Sequence, residues 1–122
     1  MDRLWLVLGA VYGFLAVALG AFGAHALKAR LSAEMLNVWH TGVEYQMFHA
    51  LALLLVGVLA RQSPSANFNA AGWCFAGGVL LFSGSLYALA LSSVRVLGAV
   101  TPCGGLLFLA GWILLAWSAT RT

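Results

Sequence analysis

The side chains best suited to bind a ligand or exchange a proton lie close together in the segment from Trp39 to His49. This segment reads Trp-His-Thr-Gly-Val-Glu-Tyr-Gln-Met-Phe-His. This segment opens an apolar run that stops at Arg61. A helix needs about 20 residues to cross roughly 30 Å of hydrocarbon, so a span that ends at Arg61 contains Glu44, Gln46 and His49. Ionisable groups inside a membrane are costly and mark either a functional site or a buried structural contact.

Glu44 has three interpretations. It could be a neutral carboxylic acid that is hydrogen-bonded across a helix bundle, because burial disfavours the charged form. It could handle a proton or cation with His49 and His25 as relay partners, since histidine titrates near neutral pH. It could also be a metal or haem ligand. Glu44 and His49 lie about 140° apart and cannot face the same ion from a single helix. His40 and Glu44, at spacing four, could face one ion, but His40 lies nearer the water. We therefore expect no metal site and no cofactor.

Nucleophilic and redox chemistry have little support. Ser83 and Ser85 flank Gly84, but this Ser-Gly-Ser segment lies in an apolar run and lacks the strand-turn-helix context of a hydrolase nucleophile. The two cysteines, Cys74 and Cys103, have no Cys-x-x-Cys or Cys/His spacing. We therefore expect both cysteines to be small buried residues, and we do not expect an enzyme.

The elements that must position these residues are membrane helices. Only 7% of the 122 residues are charged and 63% are hydrophobic, whereas about 25% of a soluble domain is charged. Four long apolar runs cover residues 4–26, 41–60, 70–91 and 97–118. They predict an all-α, four-helix transmembrane bundle with up-down topology, built as one integral domain over residues 1–122. The formal charge of +3 is scattered along the chain, so we expect the lipid bilayer and not nucleic acid as a partner.

The second run is expected to be the central helix. Its polar side chains spread over about 240° of a helical wheel, so protein must cover most of its circumference, either from its own bundle or from another subunit. Lipid would contact only the remaining strip, which consists of Met47, Ala50, Leu51, Leu54 and Val58.

Small residues mark a packing face on the first helix. Gly9, Gly13, Ala16, Gly20 and Gly23 form one narrow stripe at about 100° per residue. Such a stripe lets another helix approach closely. Glycine and alanine faces could serve packing within the chain or a homo-oligomer.

Two boundaries have alternative interpretations. Ser32 is a plausible N-cap, followed either by a short interfacial helix that bends at Thr41-Gly42 or by a single helix up to Ala60. Pro102 either kinks the fourth helix or begins it after a capping Thr101, and we favour the kink. Between the third and fourth helices, the chain is too short for anything but a tight hairpin.

Four segments resemble a known family: Gly20–Leu27, Thr41–Ala50, Leu81–Tyr87 and Leu97–Gly105. They look like the bacterial membrane family called domain of unknown function 423, to which the eukaryotic transmembrane protein 256 is similar. The resemblance implies a small multi-pass protein of the bacterial inner membrane with about four helices, and it implies no activity. The family's characteristic polar positions correspond to His25, Glu44, Tyr45, Gln46, His49, Ser83, Tyr87 and Thr101.

These eight residues are the candidate proton- or ligand-binding cluster, and they support two hypotheses. The first is a non-enzymatic membrane module that binds or relays a proton, a cation or an unidentified small ligand through Glu44, His49 and His25. The alternative is a structural or assembly protein whose polar cluster only holds helices or subunits together. The first predicts a hydrated path to Glu44, whereas the second predicts a dry, fully hydrogen-bonded cluster.

Overall fold

A computed structural model describes all 122 residues, and they form helices joined by short turns. The first membrane helix consists of α1 (Asp2–Val17), a π-helical segment (Ala18–Gly23) and α2 (Ala24–Leu27). It is followed by α3 (Ala33–Gln62), α4 (Asn69–Ser92), a 3-10 segment (Arg95–Ala99) and α5 (Thr101–Ala119). Four helices are long and apolar enough to cross a membrane, and they run over Asp2–Leu27, Ala33–Gln62, Asn69–Ser92 and Arg95–Ala119.

The helices pack as an up-down bundle in which α3 and α4 are the inner pair. Each membrane helix packs on the next one along the chain. In addition, Trp5 and Tyr12 of α1 reach across to hydrogen-bond α4, while Trp112 of α5 reaches His49 of α3. The predicted fold class is confirmed, and α3 touches all three other membrane helices.

The second membrane helix is continuous. Ser32 is its N-cap, because the Ser32 hydroxyl accepts a hydrogen bond from the Met35 amide at 3.2 Å, which satisfies one of the unpaired N–H groups at the helix start. The helix then runs without interruption through Thr41 and Gly42. Of the two alternatives at this boundary, the structure has the single long helix.

The small-residue stripe of α1 packs against α3 of the same chain. A Cβ atom at Gly9 would lie 2.9 Å from the carbonyl oxygen of Ala50, and one at Gly20 would lie 2.9 Å from the Val43 side chain. Ala50 is therefore buried. The expectation that Ala50 faces lipid is wrong, because α1 lies on the side of α3 that was assigned to lipid.

The first membrane helix changes its hydrogen-bonding pattern at Ala18–Gly23, where it forms a π-helix. The amide of Ala24 bonds back to the carbonyl of Leu19, and the Trp39 indole N–H donates to the same carbonyl at 2.9 Å. Trp39 thus stabilises a segment that leaves the regular i→i+4 ladder.

Pro102 does not kink the fourth helix. The helix α5 begins at Thr101, with Pro102 in its first turn, after a 3-10 segment and a turn at Val100. The interpretation as a kink is wrong, because proline has no N–H to lose at a helix start and its φ is already helical. Thr101 makes no capping bond, and its hydroxyl lies 2.6 Å from that of Ser85.

Two ion pairs lie at opposite ends of the bundle. Arg61 contacts Asp2 at 2.7 Å, and Arg95 contacts Glu34 at 3.2 Å. The stretch of α3 between Glu34 and Arg61 rises about 40 Å at about 1.5 Å per residue. This agrees with the thickness of a bilayer with its headgroups, about 40–45 Å, so the two pairs indicate the two membrane surfaces.

Candidate functional site

Gln46 is the centre of a buried polar network that joins three helices. Its side chain is only 4% exposed. The amide Nε2 donates to the Tyr12 carbonyl of α1 at 2.9 Å, and the Tyr87 hydroxyl of α4 donates to Oε1 at 2.7 Å. The Tyr12 hydroxyl in turn donates to the carbonyl of Ala76 at 3.0 Å. Every one of these polar groups is satisfied inside the bundle.

Small residues bring α4 close enough for this network to form. The Ser83 hydroxyl donates to the Gly42 carbonyl at 2.6 Å, and a Cβ at Gly42 would lie 2.8 Å from the Tyr87 ring. Ser85 donates to the carbonyl of Phe82 at 2.9 Å. Because that bond uses its single proton, Thr101 must be the donor in the Ser85–Thr101 pair.

His49 occupies a different place, between α3 and α5. Its Nδ1 lies 2.7 Å from the carbonyl of Tyr45, and the Trp112 indole N–H donates to Nε2 at 3.0 Å. An indole nitrogen can only donate, so Nε2 is the acceptor and Nδ1 carries the proton. The ring is stacked on Phe108, with centroids 3.6 Å apart. His49 is therefore a neutral imidazole with both nitrogens engaged by the protein.

A groove opens beside His49 toward the outside of the bundle. It measures about 550 Å³ and is lined mainly by apolar side chains, with Tyr45, His49 and Trp112 along it. The Tyr45 ring packs on Phe82, with centroids 4.6 Å apart, and Tyr45 is partly exposed. Because the groove lies between membrane helices and opens outward, lipid or another apolar group can reach it.

Glu44 lies on the outer surface of α3, away from the network and from His49. Its side chain is exposed, and all three ion pairs of the chain are made by other residues. The exposed residues around it form one stripe along α3. We call this stripe the Glu44 face, and it consists of Asn37, His40, Thr41, Glu44, Phe48, Leu51, Leu55 and Val58.

The depth of Glu44 makes its exposure unusual. Along α3 it lies about 15 Å from Glu34 and about 25 Å from Arg61. With about 30 Å of hydrocarbon centred between the two end ion pairs, the carboxyl group lies about 10 Å inside the nearer boundary. A charged residue at the centre of a membrane helix costs about 2.5–3.5 kcal/mol on insertion scales. In a single chain the Glu44 carboxyl group makes no ion pair that would offset this cost.

The eight predicted site residues thus occupy separate places. Gln46, Ser83 and Tyr87 are together between α3 and α4, and Thr101 is nearby at the start of α5. Tyr45 and His49 line the outer groove. His25 is exposed in α2, beyond the π-helical segment, and Glu44 is exposed on α3. No group of three His, Cys, Asp or Glu side chains is arranged to hold a metal ion.

Two residues of the site, Tyr12 and Trp112, were missed by reading the sequence, and so was the bond from Trp39 to the first helix. Each of the three side chains donates a hydrogen bond between helices. A general signal exists, because the N–H or O–H of a buried tryptophan or tyrosine usually finds a partner, but the sequence does not say which carbonyl or imidazole that is. Cys103 is exposed and Cys74 is half-buried, so the expectation that both are buried is wrong for Cys103.

Comparison with known proteins agrees with the fold. Residues 19–105 match the model of a family described as protein of unknown function (DUF423). A UPF0382 membrane protein of Staphylococcus haemolyticus is 50% identical over 119 residues, which are 98% of this chain and 97% of the relative. A UPF0382 membrane protein of Bacillus subtilis is 45% identical over 120 residues, which are 98% of each chain. No solved structure is significantly similar.

The family match, the membrane-protein relatives and the four apolar helices agree with one another. The resemblance seen in the sequence is confirmed. The chain is a multi-pass membrane protein and belongs to the DUF423 family.

Proposed function

We propose that this chain is a non-enzymatic assembly module of the bacterial plasma membrane, and that its Glu44 face receives a transmembrane helix of another protein chain. The observation that carries the proposal is that Glu44 is exposed on the outside of the bundle, at the depth of the hydrocarbon, and has no ion-pair partner in the chain. A polar side chain in hydrocarbon favours helix association, because a second helix supplies the hydrogen bonds that lipid lacks.

The interior of the bundle supports the same function. No buried side-chain nitrogen or oxygen lacks a hydrogen-bond partner. The Gln46 network and His49 therefore have the features expected of polar contacts that hold helices together. Glu44 differs from them, because its hydrogen-bonding capacity is directed out of the chain.

The experiment is photo-crosslinking in the native membrane. A photoreactive amino acid replaces Leu51, which lies on the Glu44 face, and in a control it replaces Ile113, which is exposed on α5. The two positions lie at similar depths because Trp112 bonds His49. We expect a protein adduct at position 51 that is lost in Glu44→Leu and absent at position 113. Adducts with lipid alone at both positions would contradict the proposal.

Proton or ligand handling is the second candidate, and two observations favour it. Glu44 is an ionisable group without an ion-pair partner in the chain, and the groove beside His49 has room for a small apolar ligand. Purified protein in liposomes that contain a pH-sensitive dye provides the test. A relay predicts proton flux above that of empty vesicles, and Glu44→Gln abolishes it. If the chain serves only in assembly, vesicles with the wild-type protein, vesicles with Glu44→Gln and empty vesicles should show the same proton flux.

A further inference from the structure

We infer that the helix on the Glu44 face is α3 of a second copy of this chain, in a twofold pair whose two Glu44 carboxyl groups hydrogen-bond to each other. This inference rests on the proposed function, because it requires that protein and not lipid covers the face. It adds the identity of the partner and the contact at the centre of the interface.

The chemistry of a carboxyl group in hydrocarbon favours a copy of itself. Burial in a medium of low dielectric constant favours the neutral acid. A neutral carboxyl group has one O–H donor and a free acceptor oxygen. Two such groups that face each other can therefore each donate and each accept, and neither is left unsatisfied. The group thus provides its own complement.

The direction of the helices permits this meeting. Copies of one membrane protein that insert with the same topology have parallel α3 helices, and a twofold axis along the membrane normal then brings identical residues together at the same depth. Glu44 of one copy faces Glu44 of the other. His40, one turn away on the same face, is the i, i+4 neighbour of Glu44 in each copy, so the two His40 side chains would flank the paired carboxyl groups.

The order of residues along the Glu44 face agrees with parallel pairing. Asn37, His40 and Thr41 occupy the end near one membrane surface, and the apolar residues Leu51 and Leu55 occupy the other end. Parallel copies place polar residues against polar ones and apolar residues against apolar ones. The glycine stripe of the first helix offers no alternative contact, because α3 of the same chain already covers it.

The test is disulfide crosslinking in native membranes. Cys74→Ala and Cys103→Ala remove the natural thiols, and a single cysteine replaces either Leu51 or, as the matched control, Ile113. Copies with two different epitope tags are expressed together, and the sample is oxidised and run on a non-reducing gel. We expect a band that contains both tags for Leu51→Cys and none for Ile113→Cys.

Two variants of Glu44 sharpen the test. Glu44→Leu should lower the yield of the crosslinked pair about tenfold, the change that corresponds to about 1.4 kcal/mol. Glu44→Gln should keep the yield within about twofold, because an amide can also donate and accept at once. Since Glu44 is exposed, neither change should disturb the fold. Unchanged thermal unfolding of both variants in detergent verifies this.

The outcomes separate this inference from the proposed function. Equal crosslinking at positions 51 and 113 indicates random collision and overturns the inference, as does a yield that does not depend on Glu44. If the cysteine forms no pair while the photoreactive residue at position 51 forms an adduct that carries one tag, another protein occupies the face. The inference then fails and the proposed function stands. If neither reagent gives a protein adduct, both fail.

Discussion

The only histidine buried in the bundle, His49, illustrates how a residue suited to chemistry is used for structure. Its two nitrogens contact the Tyr45 carbonyl and the Trp112 indole, and its ring lies against Phe108. A proton relay needs a nitrogen that can exchange its proton with a neighbour. In His49 each nitrogen is already engaged by a backbone carbonyl or by an indole that cannot accept a proton.

Trp112→Phe tests the hydrogen bond to His49. Phenylalanine keeps the aromatic contact with Phe75 but leaves the Nε2 lone pair without a donor. The expected loss is about 1 kcal/mol of unfolding free energy, measured as a lower thermal midpoint in detergent. Trp117→Phe is the control, because Trp117 is exposed and its indole N–H donates to no group of the chain. Equal effects of the two changes would contradict the assigned role.

Tyr87→Phe tests the Gln46 network. The change removes one O–H and leaves Gln46 Oε1 without its donor. Hydrogen bonds between membrane helices contribute about 0.6–1.7 kcal/mol, and we expect a loss of stability in that range. Tyr45→Phe provides the comparison, since the Tyr45 side chain lies in the open groove and should change stability little. Calorimetry of the two variants in one detergent makes the measurement.

At the scale of the helices, glycines determine how closely neighbours approach. Gly104 of α5 lies against the backbone of Phe82, and Gly111 lies against the ring of Phe75. By contrast, a Cβ at Gly84 would meet no atom within 4 Å. Glycine in a membrane helix is therefore not by itself a sign of packing, and its neighbours decide its effect.

Gly104→Ala should separate α5 from α4. The added methyl group would collide with backbone atoms of Phe82, which cannot move aside as a flexible side chain can. Overpacking of this kind costs about 1–3 kcal/mol, seen as a lower thermal midpoint. Gly84→Ala adds the same methyl group in open space and should leave the midpoint unchanged or raise it slightly, since alanine favours helix.

The boundaries of the helices show how far the sequence pattern reaches. The N-cap at Ser32 was predicted from residue type and confirmed, because capping depends on the few residues next to it. The role of Pro102 was predicted wrongly. Proline is compatible with either a kink or a helix start. Here the bond between Thr101 and Ser85 connects the helix start to a residue of α4 that is distant in sequence.

At the scale of the whole molecule, the four-helix bundle followed from composition and apolar runs, and the inner position of α3 followed from the wide spread of its polar side chains around the helix. The direction in which each polar side chain points did not follow. Both Gln46 and Glu44 are polar residues of one helix, yet Gln46 is buried and Glu44 is exposed. A helical wheel gives the angle between them, but it does not say where α1, α4 and α5 lie around α3.

A disulfide tests the arrangement of the helices. A Cβ at Gly13 would lie 3.9 Å from that of Ala50, within the range of about 3.5–4.5 Å found in disulfides. With Cys74 and Cys103 replaced by alanine, the pair Gly13→Cys and Ala50→Cys should oxidise readily within one chain. The pair Gly13→Cys and Leu109→Cys should not, because α1 and α5 are not neighbours. Mobility on a non-reducing gel after proteolysis between the helices distinguishes the two.

The π-helical segment of the first membrane helix has a consequence for chain length. A π turn contains one residue more than the α turn it replaces, so the segment accommodates an extra residue while the helix on each side keeps its orientation. The glycine stripe before it packs against α3, and Ala24 after it packs near Trp39. A deletion of one residue within Ala18–Gly23 should therefore restore a regular helix and leave Ala24 directed at the core. The same deletion in α1, before the segment, would rotate the residues on its two sides by about 100° relative to each other. The π-helical segment is thus the place in this helix where loss of a single codon should be tolerated best.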